Sequence, residues 1–385
     1  VSSAIHSASA TSRNAGLDWL RAGAILLVLM GHWFEHGQAS DLLRRWLGWG
    51  GVPGVELFFV LSGFLIGGIL MRLVEQEHFN SPGDLLHFWA RRWLRTVPLY
   101  LFFLLAWLRM DWRGPFSPAD YPQYFVFLQN FLAPTPQFFE LSWSLAVEEW
   151  FYLLYPLALL GGAACGLRAR HAVMVATVGF VIVPMLLRLL LIHPDQVTDL
   201  AAATRIPVIF RLDSLMYGVG VAIVMRRAPL LWSAIAKLFP IWALLFVLLQ
   251  WLCITRIDML LAHTATRTLL FSVFSILAAL LIPGAVHATL PRGGIGRFML
   301  LTSKLSYSIY LSHILVIVVL NSWIAQWAQR SAESMPWYYL YAAYGGATYA
   351  VAALTYHWIE LPFLRWRDRA AWFSDRVASA GDIRK

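Results

Sequence analysis

Apolar runs of about twenty residues, the length needed to cross a bilayer's hydrocarbon core, recur along the chain and are separated by short polar stretches. They fall near 17–36, 52–74, 93–110, 141–163, 172–192, 206–225, 231–253, 267–287, 305–327 and 338–359. This pattern predicts an all-α polytopic bundle of about ten spanning helices. The aromatic stretch 121–140 is broken by Pro122, Pro134 and Pro136. It predicts a re-entrant or interfacial element that reaches back toward the bundle. Residues 1–16 are polar and lack the charged-then-apolar order of a secretory signal, so they read as a mobile extension. The rest divides into one membrane domain, 17–363, and a basic cytoplasmic tail, 364–385.

Composition agrees with a membrane protein. Hydrophobic residues make up 59% of 385 positions and charged residues 13%, against roughly half and a quarter in soluble domains. A net charge of +9 raises nucleic-acid binding, but the Lys and Arg residues lie between apolar runs and form no single basic face. No nucleic-acid partner is expected. With the amino terminus inside, the positive charges concentrate on the inner side, which places both termini in the cytoplasm. Cys165 and Cys253 then fall near opposite membrane surfaces, too far apart for a disulfide.

Charges inside the apolar runs are where chemistry is expected, because they are costly in lipid and face a bundle interior or a wet path. Arg21 and His32 are eleven residues apart, about three helical turns, and so share one face about 16 Å apart. In "LSWSLAVEEWFYLLYPL", Glu148 and Glu149 are expected about 10 Å below the outer surface, level with His32. They point about 100° apart, so Glu148 is favoured for the site and Glu149 is second. Arg188, Arg211 and Asp213 form a polar layer that reads either as a substrate site or as a structural charge network. Arg91, Arg92 and Arg95 stand just before the third run; Arg92 and Arg95 share a face suited to phosphates, although the cluster also fits an ordinary positive-inside signal. Glu56 is a weaker candidate at the outer entrance of the second run. Tyr310 and His313 share a side of the ninth run, where His313 is read as lining the route and not as reacting. No metal-ligand spacing, nucleophile elbow or phosphate loop is present, and a metal-free site is expected.

Taken in order, several stretches resemble acyltransferase family 3, integral-membrane enzymes that acylate cell-envelope carbohydrates and some small natural products. They are "LDWLRAGAILLVLMGH", "GVELFFVLSGFLI", Arg92-x-x-Arg95, "SWSLAVEEWFYLLYP", "FRLDSLMYGVG", "LSYSIYLSH" and "IELPF". The resemblance implies an acyl-CoA donor, commonly acetyl-CoA, entering from the cytoplasm of a bacterial inner membrane. It implies transfer to a hydroxyl on a carbohydrate or lipid-linked glycan. On that reading Arg21, Arg92 and Arg95 bind the donor's phosphates, and His32 is the general base. Glu148 orients His32 or stabilises its imidazolium. No dedicated oxyanion donor is evident, with Arg211, Tyr310 and a broken-helix backbone amide as candidates, and a covalent acyl-histidine is the alternative to direct transfer.

Some relatives carry an extra soluble catalytic domain. Here the tail after Phe363 is short, so the acceptor is expected to reach the membrane domain itself. Trp46, Trp49, Trp112 and Tyr121, in outer loops, are candidates for sugar stacking or for anchoring among membrane lipids. Two other readings stay open: acylation of a small molecule such as an antibiotic, and a lipid-linked glycan transporter. Nothing in the sequence bears on oligomeric state.

Overall fold

A computed structural model of the chain describes residues 14–36, 50–110, 121–134, 138–193, 199–289, 291, 293–331 and 336–369. Most of the predicted N-terminal extension, Trp46, Trp49, Trp112, and the tail from 370 lie outside the described residues. Within them every regular element is helical. The helices are α1 (Ala15–His36), α2 (Gly51–Glu75), α3 (Pro82–Met110), α4 (Pro122–Phe125), α5 (Ser142–Ala164), α6 (Ala169–Leu191) and α7 (Leu200–Arg205). They continue with α8 (Leu212–Arg227), α9 (Pro229–Lys237), α10 (Phe239–Ala262), α11 (Thr264–His287), α12 (Gly294–Ser331), α13 (Trp337–Thr355) and α14 (Leu361–Arg369). A π-helical turn, Tyr356–Glu360, joins the last two.

Every predicted apolar run overlaps a long helix, as a polytopic bundle requires. Among the described residues, seven helices are long and apolar enough to cross a membrane, and the pair α8 and α9, bent by 119°, adds an eighth if it counts as one span. Helix α5, with its two glutamates, and α13, rich in tyrosine, fall outside that set. Both are nonetheless packed into the bundle: Tyr152 and Tyr155 of α5 and Tyr344 of α13 are fully buried.

Boundaries differ from the sequence expectation in four places, each with a local cause. Helix α3 begins at Pro82, so Arg91, Arg92 and Arg95 lie inside it and not before it. Helix α8 begins only at Leu212, because Pro207 is extended and is followed by a 3-10 turn at Val208–Phe210, its ring leaving no amide hydrogen to continue a helical ladder. The run 231–253 is split: α9 ends at Lys237, and the apolar span starts anew at Phe239 with Pro240 in its first turn, where proline is tolerated. Helix α12 starts at Gly294 and has 38 residues, about 57 Å, well beyond a hydrocarbon core of about 30 Å.

The proline-broken stretch does fold back. Tyr124 is buried, and its carbonyl accepts the Tyr100 hydroxyl at 2.8 Å. Asn130 Nδ2 donates to the carbonyls of Trp143 and Ile206, while the Val208 amide donates to the Asn130 carbonyl. Non-helical backbone at this depth is tolerated because protein groups satisfy it. One consequence is that Phe138, Phe139 and Leu141 are already buried when α5 begins.

Helices α2 and α8 touch backbone to backbone. A Cβ on Gly63 would stand 1.8 Å from the Leu215 carbonyl oxygen, and one on Gly218 2.1 Å from that of Val60. Small residues permit such contact between membrane helices. Because the obstacle is backbone, Gly63→Ala cannot be absorbed by a rotamer change. It is expected to cost at least the roughly 1–3 kcal/mol typical of overpacking. The check is thermal aggregation in detergent, where an unchanged midpoint would contradict the close approach.

Candidate active site

A cavity of about 490 Å³ opens between α1, α2, α3, α5 and α12. It follows α2 from Val55 to Ile69, about 21 Å along the axis. Arg21, Arg92, Arg95, Glu148 and Tyr310 all line it, together with Ser62, Ser144 and Tyr307. Four helices distant in sequence, α1, α3, α5 and α12, therefore bring five of the predicted site residues to one space.

At its centre, the Ser62 hydroxyl donates to Glu148 Oε1 at 2.5 Å. The Tyr152 hydroxyl, one turn along α5, donates to the same oxygen. Arg92 lies over the Tyr152 ring at 4.4 Å and donates to its hydroxyl at 2.8 Å. Glu148 thus holds Arg92 through Tyr152. The charges of Arg92 and Arg21 both reach Arg95, with Glu360 as a countercharge. Three half-buried guanidinium groups so close together make this part of the cavity a place for a multiply charged anion. Glu360 is fixed by Ser308 at 2.8 Å in the π-helical turn, an irregularity common at functional sites.

Tyr310 stands nearer the Val55 end, its hydroxyl 2.6 Å from that of Ser144 and 3.1 Å from the Leu141 carbonyl. Beyond it, outside the lining, come two histidines. His313 is one turn from Tyr310, fully buried, with ring centroids 5.9 Å apart. Its Nε2 is 3.2 Å from Nδ1 of His32, which also lies 3.0 Å from the Val28 carbonyl oxygen. A Cβ on Gly51 would be 3.7 Å from His32 Cε1. His32 is therefore level with Gly51, whereas Glu148 is level with Ser62, about 16 Å further along α2.

This corrects the expected pairing. Glu148 is not at the depth of His32, and its hydrogen bonds go to Ser62 and Tyr152; the ring partner of His32 is His313. The physical reason is the buried stretch before α5, which starts that helix well below the surface assumed from the apolar run. Glu149 is buried near Trp93 and Thr96, behind the lining residue Thr96, and does not itself line the cavity.

The other charged candidates form two buried ion pairs. Arg188 makes a two-pronged contact with Asp213 at 2.7 and 3.2 Å, and it also donates to Ser272 and to the carbonyls of Thr268 and Phe210. Arg211 pairs with Glu56 at 2.5 Å, and Ser275 donates to the second Glu56 oxygen at 2.6 Å. Arg211 is flanked by Phe59 and Phe271. None of the four lines the cavity, so the oxyanion role considered for Arg211 has no support from its position.

Sequence reading did not find Tyr152, Ser144 or Arg205. The first two lie four residues either side of Glu148, on its helix face, which is the signal that points to them. Arg205, in the short α7, lies 4.8 Å over the Trp143 ring and 3.4 Å from the Gly51 carbonyl, on the level of His32. Burial pushes its guanidinium down to about 10, with Glu56 pulling the other way. Among the described residues no three His, Cys, Asp or Glu side chains converge as a metal would need.

A family profile described as an acyltransferase domain matches residues 14–357. O-acetyltransferase OatA of Staphylococcus aureus is 32% identical over 159 residues, 37% of this chain and 24% of that protein. Peptidoglycan O-acetyltransferase OatA of Listeria monocytogenes is 33% identical over 162 residues, again 37% of this chain and 24% of that protein. The match thus spans about a quarter of these relatives' length. No solved structure matches the chain. With one profile running from the start of α1 into the π-helical turn, across every element that lines the cavity, the chain belongs to acyltransferase family 3.

Proposed function

We infer that the chain is a multi-pass O-acetyltransferase of the bacterial inner membrane, moving an acetyl group from cytoplasmic acetyl-CoA to a hydroxyl of an envelope carbohydrate such as peptidoglycan or its lipid-linked precursor. The observation that carries this reading is the cavity lined by Arg21, Arg92 and Arg95, whose Ser62–Glu148 contact lies about 16 Å along α2 from the level of His32. Phosphates of coenzyme A meet Arg21, Arg92 and Arg95, and the pantetheine arm lies along α2 past Tyr310. The acceptor hydroxyl attacks the thioester carbonyl as His32 takes its proton. The carbon–oxygen bond forms, the carbon–sulfur bond breaks, and coenzyme A leaves as the thiol. Arg205 supplies positive charge on the level of the tetrahedral intermediate. Glu148 acts at a distance by keeping Arg92 aimed at the donor.

The test is purified protein with radiolabelled acetyl-CoA and a peptidoglycan precursor, following label in the glycan and free thiol together. Both are expected to rise only when donor and acceptor are present. Glycan crossing vesicle membranes without thiol release would instead support a transporter. In the same assay, Arg92→Ala is expected to raise KM for acetyl-CoA about 10- to 100-fold, the equivalent of one charge-assisted hydrogen bond of roughly 1.5–3 kcal/mol. A fall in kcat at unchanged KM would move Arg92 from donor binding to chemistry.

A further inference from the structure

On α2 the cavity is lined by one helix face, on which Val55, Phe58, Phe59 and Ser62 follow at spacings of three and four. Phe58 stands one turn from Ser62 on the side of His32, about 6 Å along the axis, and the level of His32 at Gly51 is about 10 Å further. Facing it is Tyr310 of α12, with ring centroids 6.3 Å apart and planes at 71°. The Tyr310 hydroxyl is tethered to Ser144 at 2.6 Å and to the Leu141 carbonyl at 3.1 Å. Phe58 has no polar atom to tether it and keeps part of its ring exposed. Non-bonded carbons pack at about 3.5–4.0 Å, so a methylene chain lying between two rings needs about 7–8 Å. At 6.3 Å this pair admits none. Beside it the lining is apolar and buried, with Val55, Phe59 and Leu145, and Phe59 is braced edge-on against Trp143.

We propose that Phe58, set against the tethered Tyr310, is the residue that limits the donor's acyl group to acetyl. This rests on the reading of the chain as an acyl-CoA-dependent transferase whose base is His32. An acceptor hydroxyl that gives its proton to His32 attacks a carbonyl carbon that has come up to or past Phe58, so whatever chain that carbon bears must be housed there too. The single methyl of an acetyl group adds little to the space that the thioester already takes. A butyryl or hexanoyl chain has to lay its methylenes between two rings that are too close to hold them, or against the packed side chains of Val55, Phe59 and Leu145. Of the pair, Phe58 is the member that decides, because truncating it opens the gap and leaves no polar group without its partner, whereas truncating Tyr310 strands the Ser144 hydroxyl. The selection works by exclusion of the wrong donor, and one methylene too many in such a pocket is worth about 10- to 200-fold.

The test measures kcat/KM for acetyl-CoA and butyryl-CoA with the full chain in detergent and a peptidoglycan precursor as acceptor. Wild type is expected to use butyryl-CoA at least about 100-fold less well than acetyl-CoA, the effect of two added methylenes. Phe58→Ala is expected to raise the butyryl-to-acetyl ratio at least about tenfold, and Phe58→Leu, which empties less space, to raise it by less. Phe64→Leu is the control for loosened packing, since Phe64 is on the same helix but stacks on Trp232 and does not line the cavity. Its ratio should stay that of wild type. A wild type that uses both donors equally, a ratio unmoved in both Phe58 variants, or an equal shift in Phe64→Leu would each overturn the role of Phe58. Absence of transfer by wild type from either donor would instead overturn the acyltransferase reading beneath it, and that outcome shows in the wild-type reactions alone.

Discussion

Replacing His32 with alanine is expected to lower acetyl transfer by about 10²- to 10⁴-fold, the contribution of a positioned general base, while acetyl-CoA binding stays near wild type. The separation follows from distance. His32 lies about 16 Å along α2 from the level where Glu148 and Arg92 are tied together, so its loss leaves the arginine-lined part of the cavity intact. His32 is also only half-buried. The measurement pairs label transfer with acetyl-CoA binding on one detergent preparation. Retained transfer would put the base elsewhere. A second experiment on the same variant separates direct transfer from an acyl-enzyme: wild type incubated with acetyl-CoA and no acceptor should stay unlabelled if His32 is a base. Label that accumulates on wild type and vanishes in His32→Ala would make it a nucleophile.

How far the sequence could carry this site depends on which property of a helix is being read. Periodicity reports faces: Arg21 lines the cavity, and Glu148 lines it where Glu149 does not. Depth is another matter, because a span's level depends on where its chain enters the bundle. The backbone of 121–134 and 138–141 folds inward, with Asn130 and Gln129 bonded to the first turn of α5, so counting residues from an imagined surface misplaced Glu148 by about three turns relative to His32. Pairings between remote helices leave still less trace. Nothing local says that Ser275 of α11 and Arg211 share Glu56, or that His313 meets His32 across 281 positions. These contacts are products of tertiary packing. By contrast, the switch from charged residues as candidate chemistry to charged residues as framework was legible for Arg188 and Asp213 as one of two open readings.

That framework yields the second large effect. Asp213→Leu is expected to unfold the protein or to cost about 3–5 kcal/mol, because it leaves Arg188, 1% exposed, as a buried charge without its carboxylate. The serine at 272 cannot compensate, since its hydroxyl is shared between the two partners and carries no charge. Removing both ions tests the cause. The double variant Arg188→Met with Asp213→Leu replaces the pair by apolar side chains, an exchange that is often neutral or stabilising for buried pairs. It is expected to recover most of the lost thermal stability in detergent and, with the cavity lined by other residues, to transfer acetyl at close to the wild-type rate. A double variant that folds, binds acetyl-CoA and fails to transfer would assign the pair to the reaction. A double variant no more stable than Asp213→Leu would mean that the two residues do not act as a pair, and that Arg188 is held by the Thr268 and Phe210 carbonyls for its own sake.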